Sequence, residues 1–224
     1  MLNLEKIQYV VLDLDNTLIQ HDNSIETEHL CGELGIPLDK ELENQIKKFW
    51  LAHGEFTDNV QMTKEKYYGM IQDNIPRLGE LNINGEAILD AMFARPPLAL
   101  YDGATELLQA VKKRGKKIIA LSDWFKEDQI KNLKFLDIYN FFDDVYGWDN
   151  SYAKPSKLAL EKVIKGLEKE SFIMIGDGLK TDVQCANNVG IASIWINEHK
   201  QSPGNIIPSI TVSSVKEVAE LFKN

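Results

Sequence analysis

The chain has 224 residues, 44% of them hydrophobic and 26% charged, and its 34 acidic against 25 basic residues leave a formal net charge of −9. At roughly 100–200 residues per domain, this length and composition describe one large globular domain, or one carrying a smaller inserted domain. The acidic balance excludes a broad surface for nucleic-acid polymers or anionic membranes, which needs a local excess of Lys and Arg that no segment has.

In chain order, Met1 to Gln20 carries an apolar run interrupted by Asp13 and Asp15, with no small-residue cleavage site after it, so a signal peptide is not expected. Ile7 to Leu14 is β-branched and apolar, too short for an ordinary helix, and predicts a strand buried on both faces whose end is charged, at Asp13. From about Gln20 to Leu98 the chain is too long to be a structureless loop of a compact domain, so it predicts a small helical fold of its own. Asn23 or Ser24 offers an N-cap for a first helix ending near Gly35. Leu42, Ile46, Phe49 and Trp50 mark a second helix, Tyr67, Met70 and Ile71 a third, and Leu89, Met92 and Phe93 a fourth. Arg95-Pro96-Pro97 stops the last one. Beyond it, Ala104, Leu107, Leu108 and Val111 repeat at helical spacing, as do Leu160, Val163, Ile164 and Leu167, and finally Val215, Val218, Ala219 and Phe222. Lys117–Leu121, Phe172–Gly176 and Ile191–Ile196 are short apolar runs that predict further buried strands. This alternation of strand and helix predicts βαβ units, a parallel sheet covered by helices on both faces. No stretch reaches the roughly 18 apolar residues of a membrane-spanning helix.

The chemistry sits at the strand ends. Asp13 and Asp15 follow the first strand two residues apart, which in extended chain turns both carboxylates to one side. Ligands of open α/β sheets bind outside the carboxyl ends of the strands, where this pair is expected. Ser122-Asp123 follows the second predicted strand, Gly176-Asp177 a later one, and Lys154-Pro155 precedes a helix between them. Each has an ordinary reading when taken alone: Asp-x-Asp is commonly a turn or cap, Asp177-Gly178 a turn, Ser122 a helix cap and Lys154 a solvated lysine. Their joint occurrence, in order, at the predicted ends of buried strands is what favours a site.

Asp13-Leu14-Asp15-Asn16-Thr17-Leu18, Leu121-Ser122-Asp123, Ala153-Lys154-Pro155 and Gly176-Asp177-Gly178-Leu179-Lys180-Thr181-Asp182 resemble the four motifs of the haloacid dehalogenase (HAD) superfamily. Tyr101-Asp102-Gly103 to Gly115 and Tyr139 to Asp144 resemble its connecting segments, so the likeness covers almost the whole chain. It implies an α/β fold: a Rossmann-like parallel-sheet core over residues 1–19 and 99–224, with an all-helical cap domain over residues 20–98. It also implies an enzyme, a magnesium-dependent phosphatase of a small soluble phosphomonoester such as a nucleotide or a sugar phosphate. Asp13 would be the nucleophile that forms an aspartyl-phosphate. Asp15 would protonate the leaving oxygen and then activate water. Asp13 and Asp177 would bind Mg2+ by side chain and Asp15 by its backbone carbonyl, with Asp182 behind them. Ser122 and the backbone N–H of Asp123 would hold a phosphate oxygen, Lys154 would balance charge on nucleophile and phosphate, and Thr17 would orient the nucleophile loop.

Two departures bear on the subfamily. Asp123 stands where many relatives have Asn, and Gly178 where many have Ser or Thr. An acid at position 15 favours phosphoryl transfer over carbon–halogen cleavage, because the dehalogenases typically lack it. A phosphomutase shares every motif, and a low-turnover phosphate-binding regulatory protein is a further alternative that the acid at position 15 disfavours. A receiver domain is disfavoured because its acidic pair and phospho-acceptor lie on different strands.

Ile194-Trp195-Ile196-Asn197 resembles the matching strand end in some nucleotide monophosphatases of the superfamily. His21, His29, His53 and His199 have no ligand spacing and read as surface or cap residues. The aromatics Phe49, Trp50, Tyr67 and Tyr68 read first as packing and second as a stacking surface. Cys31 and Cys185 are far apart with no metal-ligand spacing, which fits a reducing cytoplasm. Nothing in the sequence sets the oligomeric state.

Overall fold

The computed structural model describes residues 3–20, 26–57, 61–93 and 99–223. Six strands form one parallel sheet: β1 (Tyr9–Leu12), β4 (Lys117–Leu121), β5 (Asp144–Tyr146), β6 (Phe172–Gly176), β7 (Ala192–Ile196) and β8 (Ile210–Val212), in the order β5-β4-β1-β6-β7-β8. Two-residue strands β2 (Ile19–Gln20) and β3 (Ala99–Leu100) pair antiparallel where the chain leaves the sheet region and returns to it.

The strand sequences are apolar throughout because both faces are covered. Val10, Leu12, Ile118, Ala120, Ile173 and Ile175 turn to one face, against α6 (Ala104–Lys113) and α10 (Val215–Lys223). Val11, Ile119, Leu121 and Met174 turn to the other, against α8 (Lys157–Ile164) and α9 (Gln184–Val189). Each valine, leucine, isoleucine or methionine among them, once fully buried, contributes about 1.5–3 kcal/mol, which holds the strand ends in fixed register.

Three predicted boundaries move. β1 is Tyr9–Leu12, shorter than the apolar run. β7 begins at Ala192, one residue after the run. α8 stops at Ile164, because Lys165 and Gly166 take positive φ of 50° and 79°, and this leaves Leu167 exposed instead of on the buried helix face.

Between β2 and β3 lie α1 (Glu26–Glu33), α2 (Lys40–Thr57), α3 (Lys64–Asn74), α4 (Arg77–Glu80) and α5 (Gly85–Phe93). Leu42, Ile46 and Phe49 of α2, Tyr67 and Ile71 of α3, and Ile88 and Leu89 of α5 share one apolar cluster, which also takes in Phe125, Trp148 and Ala153 from beside the sheet. Tyr67 is fully buried, its ring 5.4 Å from Trp124, 5.8 Å from Phe125 and 5.4 Å from Trp148, centroid to centroid. It packs the helical segment onto the sheet region and offers no stacking surface. Lys64 at the start of α3 adds an ion pair to the buried Asp128, 3.1 Å away, on α7 (Lys126–Phe135). His21, Asn23, Ser24 and Arg95-Pro96-Pro97 lie outside the described residues, as do the side chains of Trp50, His53, Met92 and Phe93. No helix among the described residues is long and apolar enough to cross a membrane.

Candidate active site

The turn after β1 is wound tightly. The carbonyl of Leu14 accepts from the N–H groups of Thr17, Leu18 and Ile19 at 3.2, 2.8 and 2.9 Å, and Asn16 takes a left-handed φ of 61°, which Asn tolerates better than most residues. This folds Thr17 back on the strand end. Its buried hydroxyl lies 2.8 Å from Asp13 Oδ2 and 3.0 Å from Asp177 Oδ1, and accepts from the Asp177 N–H at 3.1 Å. One hydroxyl therefore ties the end of β1 to the end of the neighbouring β6.

Lys154 enters from the loop before α8 and is 3% exposed. Its ammonium donates to Asp13 Oδ1 at 2.6 Å, Asp182 Oδ1 at 2.5 Å and the Leu121 carbonyl at 3.1 Å, which uses its three protons. Burial alone would lower the Lys154 pKa, but Asp13, Asp182 and Asp123 outweigh it and hold the ammonium charged, well above the usual lysine range. Asp182 lies on a π-helical turn, Leu179–Val183, and its second oxygen accepts from the Gly178 N–H at 2.9 Å. A Cβ on Gly176 would come within 2.1 Å of that oxygen, so glycine at the end of β6 leaves room for Asp182. Burial pushes the Asp182 carboxyl well above its ordinary range, against the pull of Lys154.

Both departures from the motif pattern have a place in this geometry. The Asp123 carboxylate accepts from the backbone N–H of Lys154 at 2.9 Å and so links the loop after β4 to the lysine loop; burial raises its pKa to about 6. At Gly178 the space a side chain would take is filled by Thr181, whose hydroxyl oxygen is 1.9 Å from where a Cβ would stand.

Oxygens of Asp13, Asp177 and Asp182 all lie within 4.8 Å of one another. Burial, then the charge of Asp13, raises the Asp177 pKa to about 6. Lys154 sets a single positive charge against these three acids, and hard carboxylate oxygens are the donors that magnesium takes, so the residues fit that ion. All three carboxylates also meet protein partners: Asp13 meets Lys154 and Thr17, Asp177 meets Thr17, and Asp182 meets Lys154 and the Gly178 N–H.

Asp15, half-buried, faces the loop after β4. Its Oδ2 lies 3.2 Å from Ser122 Oγ and accepts a short hydrogen bond from Gln129 Nε2. All eight site residues read from the sequence, Asp13, Asp15, Thr17, Ser122, Asp123, Lys154, Asp177 and Asp182, thus meet at one rim of the sheet. Gln129 was not among them: it sits on the second turn of α7, in a sequence, Lys126-Glu-Asp-Gln, that reads as a solvated face. A cavity of about 310 Å³ opens beside Asp177, lined among others by Asn16, Tyr101, Asn197 and His199. His199, which carried no sequence signal, is therefore near the site. The Asn197 side chain braces this wall, bonding the Gln201 carbonyl and N–H at 2.9 and 2.8 Å.

The family model for haloacid dehalogenase-like hydrolases matches residues 7–190. The chain is similar to the pyrimidine 5'-nucleotidase YjjG of Escherichia coli (strain K12), at 25% identity over 231 residues, covering 97% of this chain and 98% of that protein. It is also similar to the glyceraldehyde 3-phosphate phosphatase of Methanocaldococcus jannaschii, at 24% identity with 97% and 98% covered. Among solved structures, the HAD-hydrolase YfnB of Bacillus subtilis bound to magnesium superposes with a TM-score of 0.73 at 20% identity, over 97% of this chain and 99% of that one.

Proposed function

From the premise that the chain belongs to the haloacid dehalogenase-like hydrolases, we propose that it is a magnesium-dependent phosphatase of a small phosphomonoester, working through an aspartyl-phosphate on Asp13. The observation that carries this reading is the pairing of two differently held acids: Asp13 clamped by Lys154 and Thr17, and Asp15 two residues on, held instead by Ser122 and Gln129. One carboxylate is fixed for attack while the other is available to move a proton. Two of the relatives support the substrate class, being named a pyrimidine 5'-nucleotidase and a glyceraldehyde 3-phosphate phosphatase.

An Asp13 oxygen attacks phosphorus, the bond from phosphorus to the leaving oxygen breaks, and the proton on Asp15 passes to that oxygen. A water then attacks the acyl phosphate and gives its proton to Asp15, releasing phosphate and restoring Asp13. Ser122 and the Asp123 N–H donate to phosphate oxygens, while Lys154 offsets charge gathering on Asp13 and the phosphoryl group. Asp13 and Asp177, with the Asp15 carbonyl, would hold magnesium, which when bound neutralises charge on the phosphate and lets it approach the acids. The cavity beside Asp177 is at the small end of small-molecule sites, which suits a compact leaving group. Residues 20–98 act as a cap on the core formed by residues 1–19 and 99–224, excluding water during transfer.

The test is a panel of phosphomonoesters with and without magnesium, together with acid-quenched mass spectrometry. Magnesium-dependent release of phosphate and a +80 Da adduct on Asp13, the approximate mass that phosphorylation adds, are expected. Turnover that survives exhaustive chelation, or phosphate trapped on another residue, refutes the reading.

A further inference from the structure

Gln129 is 1% exposed and lies against the acid that the mechanism uses twice. Its amide nitrogen reaches two acceptors, Asp15 Oδ2 and, at 2.9 Å, Ser122 Oγ, so both N–H bonds of the amide are spent on the site. Among the described residues the amide oxygen is buried with no hydrogen-bond partner. Turning the amide over would not help. It would set that oxygen against the Asp15 carboxylate, an acceptor facing an acceptor, so the orientation with nitrogen toward Asp15 is the one that charge selects. A buried, unbonded amide oxygen is unfavourable, and the fold accepts it where the same amide aims two donors at Asp15 and Ser122.

Both Ser122 and Gln129 meet the same oxygen of Asp15. An oxygen that accepts from Gln129 is a poor place for the acid's own proton, because that proton would oppose the amide N–H.

We propose that Gln129 is a positioning residue for Asp15: it holds Oδ2 as an acceptor, so that the proton delivered to the leaving oxygen is carried on Oδ1. The inference rests on the phosphatase reading above and adds to it the identity of the group that orients the acid. When Ser122 turns its hydroxyl proton from Asp15 to an arriving phosphate oxygen, the second N–H of Gln129 still holds the Ser122 oxygen in place. In the step concerned, the bond from Asp13 to phosphorus forms, the bond from phosphorus to the leaving oxygen breaks with its electron pair, and the Oδ1 proton of Asp15 ends on the departing alcohol.

The consequence depends on the leaving group. A nitrophenolate departs without a proton, whereas an alkoxide does not. Gln129→Leu and the more pliable Gln129→Met remove both donors at similar volume. For each, kcat/KM is measured with magnesium on p-nitrophenyl phosphate and on the alkyl phosphomonoester that the parent protein turns over best. Misplacing a general acid forfeits on the order of 100-fold, so the alkyl substrate is expected to lose about that much. The aryl substrate, sensitive only to the loosened Ser122, is expected to lose less than about 10-fold. Retained aryl turnover also shows that the variant is folded. Equal losses on the two substrates, or no loss on either, overturn the role given to Gln129. A parent protein inactive on both refutes the phosphatase reading itself, so the two failures are distinguishable.

Discussion

Replacing Lys154 by Met removes the buried ammonium at the centre of the site and leaves a side chain of similar length. In the parent, that ammonium lies 2.6 Å from Asp13 and 2.5 Å from Asp182, both almost wholly buried, and Asp123 accepts from the backbone of the same residue. Breaking a buried ion pair by removing one partner costs about 3–5 kcal/mol, because the remaining charge stays desolvated without compensation. For a chain of this size 1 kcal/mol moves the melting temperature by about 2–4 °C, so the variant should melt roughly 6–20 °C lower at neutral pH. Because the folded pKa of Lys154 is raised, its contribution is complete below the ordinary lysine pKa and is lost only as pH rises through the higher folded value. At pH 7 the full effect is therefore present.

The pH dependence of the variant's stability tests the same ion pair a second way. Asp182 has a raised carboxyl pKa even beside Lys154, and loss of the lysine raises it further. A carboxyl with a raised folded pKa binds protons more readily folded than unfolded, so lowering the pH stabilises the folded form of the variant. The gap between the two melting temperatures should narrow as pH falls from 7 towards 5. Asp182→Asn in the Lys154→Met background should recover part of the loss, since it removes one uncompensated charge. The assay is thermal unfolding of the parent, both single variants and the double variant across pH. Additive effects in the double variant, or a Lys154→Met melting temperature within the error of the parent, would show that the ion pair contributes nothing to stability.

Asp13→Asn should abolish the phosphoryl-enzyme seen by acid-quenched mass spectrometry while leaving the fold intact, because an amide is a far poorer nucleophile. Asp15→Asn should lower kcat/KM by about 10²–10⁴-fold, the range for a lost general acid and base, and more for alkyl than for aryl leaving groups. Cys185, buried and with its thiol pKa pushed up to about 12, should resist alkylation at pH 8 in the native protein and react once it is unfolded; rapid native labelling at that position would contradict the packing around it. Tyr67→Ala should destabilise by about 3–5 kcal/mol, as a cavity in a core does, and if the helical segment governs substrate choice it should also reorder kcat/KM across a substrate panel. Uniform scaling of every substrate would make that segment cover alone.

The central strands were legible because burial on both faces writes an unbroken apolar run, and Lys117–Leu121 and Phe172–Gly176 appear in the structure with those bounds. Asp13, Ser122 and Asp177 stood out for a related reason, since a polar group ending such a run cannot be there to pack, whereas Thr17 and Asp182 were indicated only by the resemblance to the superfamily motifs. The outer strands β5 and β8 gave no such run. They are three residues each and carry Asp144 and Thr211. Helix α7 was missed for a different cause. Its inward positions include Asp128 and Gln129, with Leu133 the only fully buried apolar side chain, so the helical stripe that periodicity looks for is broken. That break has a physical origin, since the helix turns Asp128 to Lys64 and Gln129 to Asp15 and Ser122 instead of to a core. Hydrophobic periodicity reports which faces meet other apolar faces, and it goes silent where a face meets a site. Tyr67 follows its first reading: an aromatic at helical spacing on the inserted segment packs, with Trp124, Phe125 and Trp148 closed around it, and the stacking role falls away. Polar residues that interrupt a helix next to a recognised strand-end motif are thus better guides to the supporting residues of such a site than aromatics that continue a helical stripe.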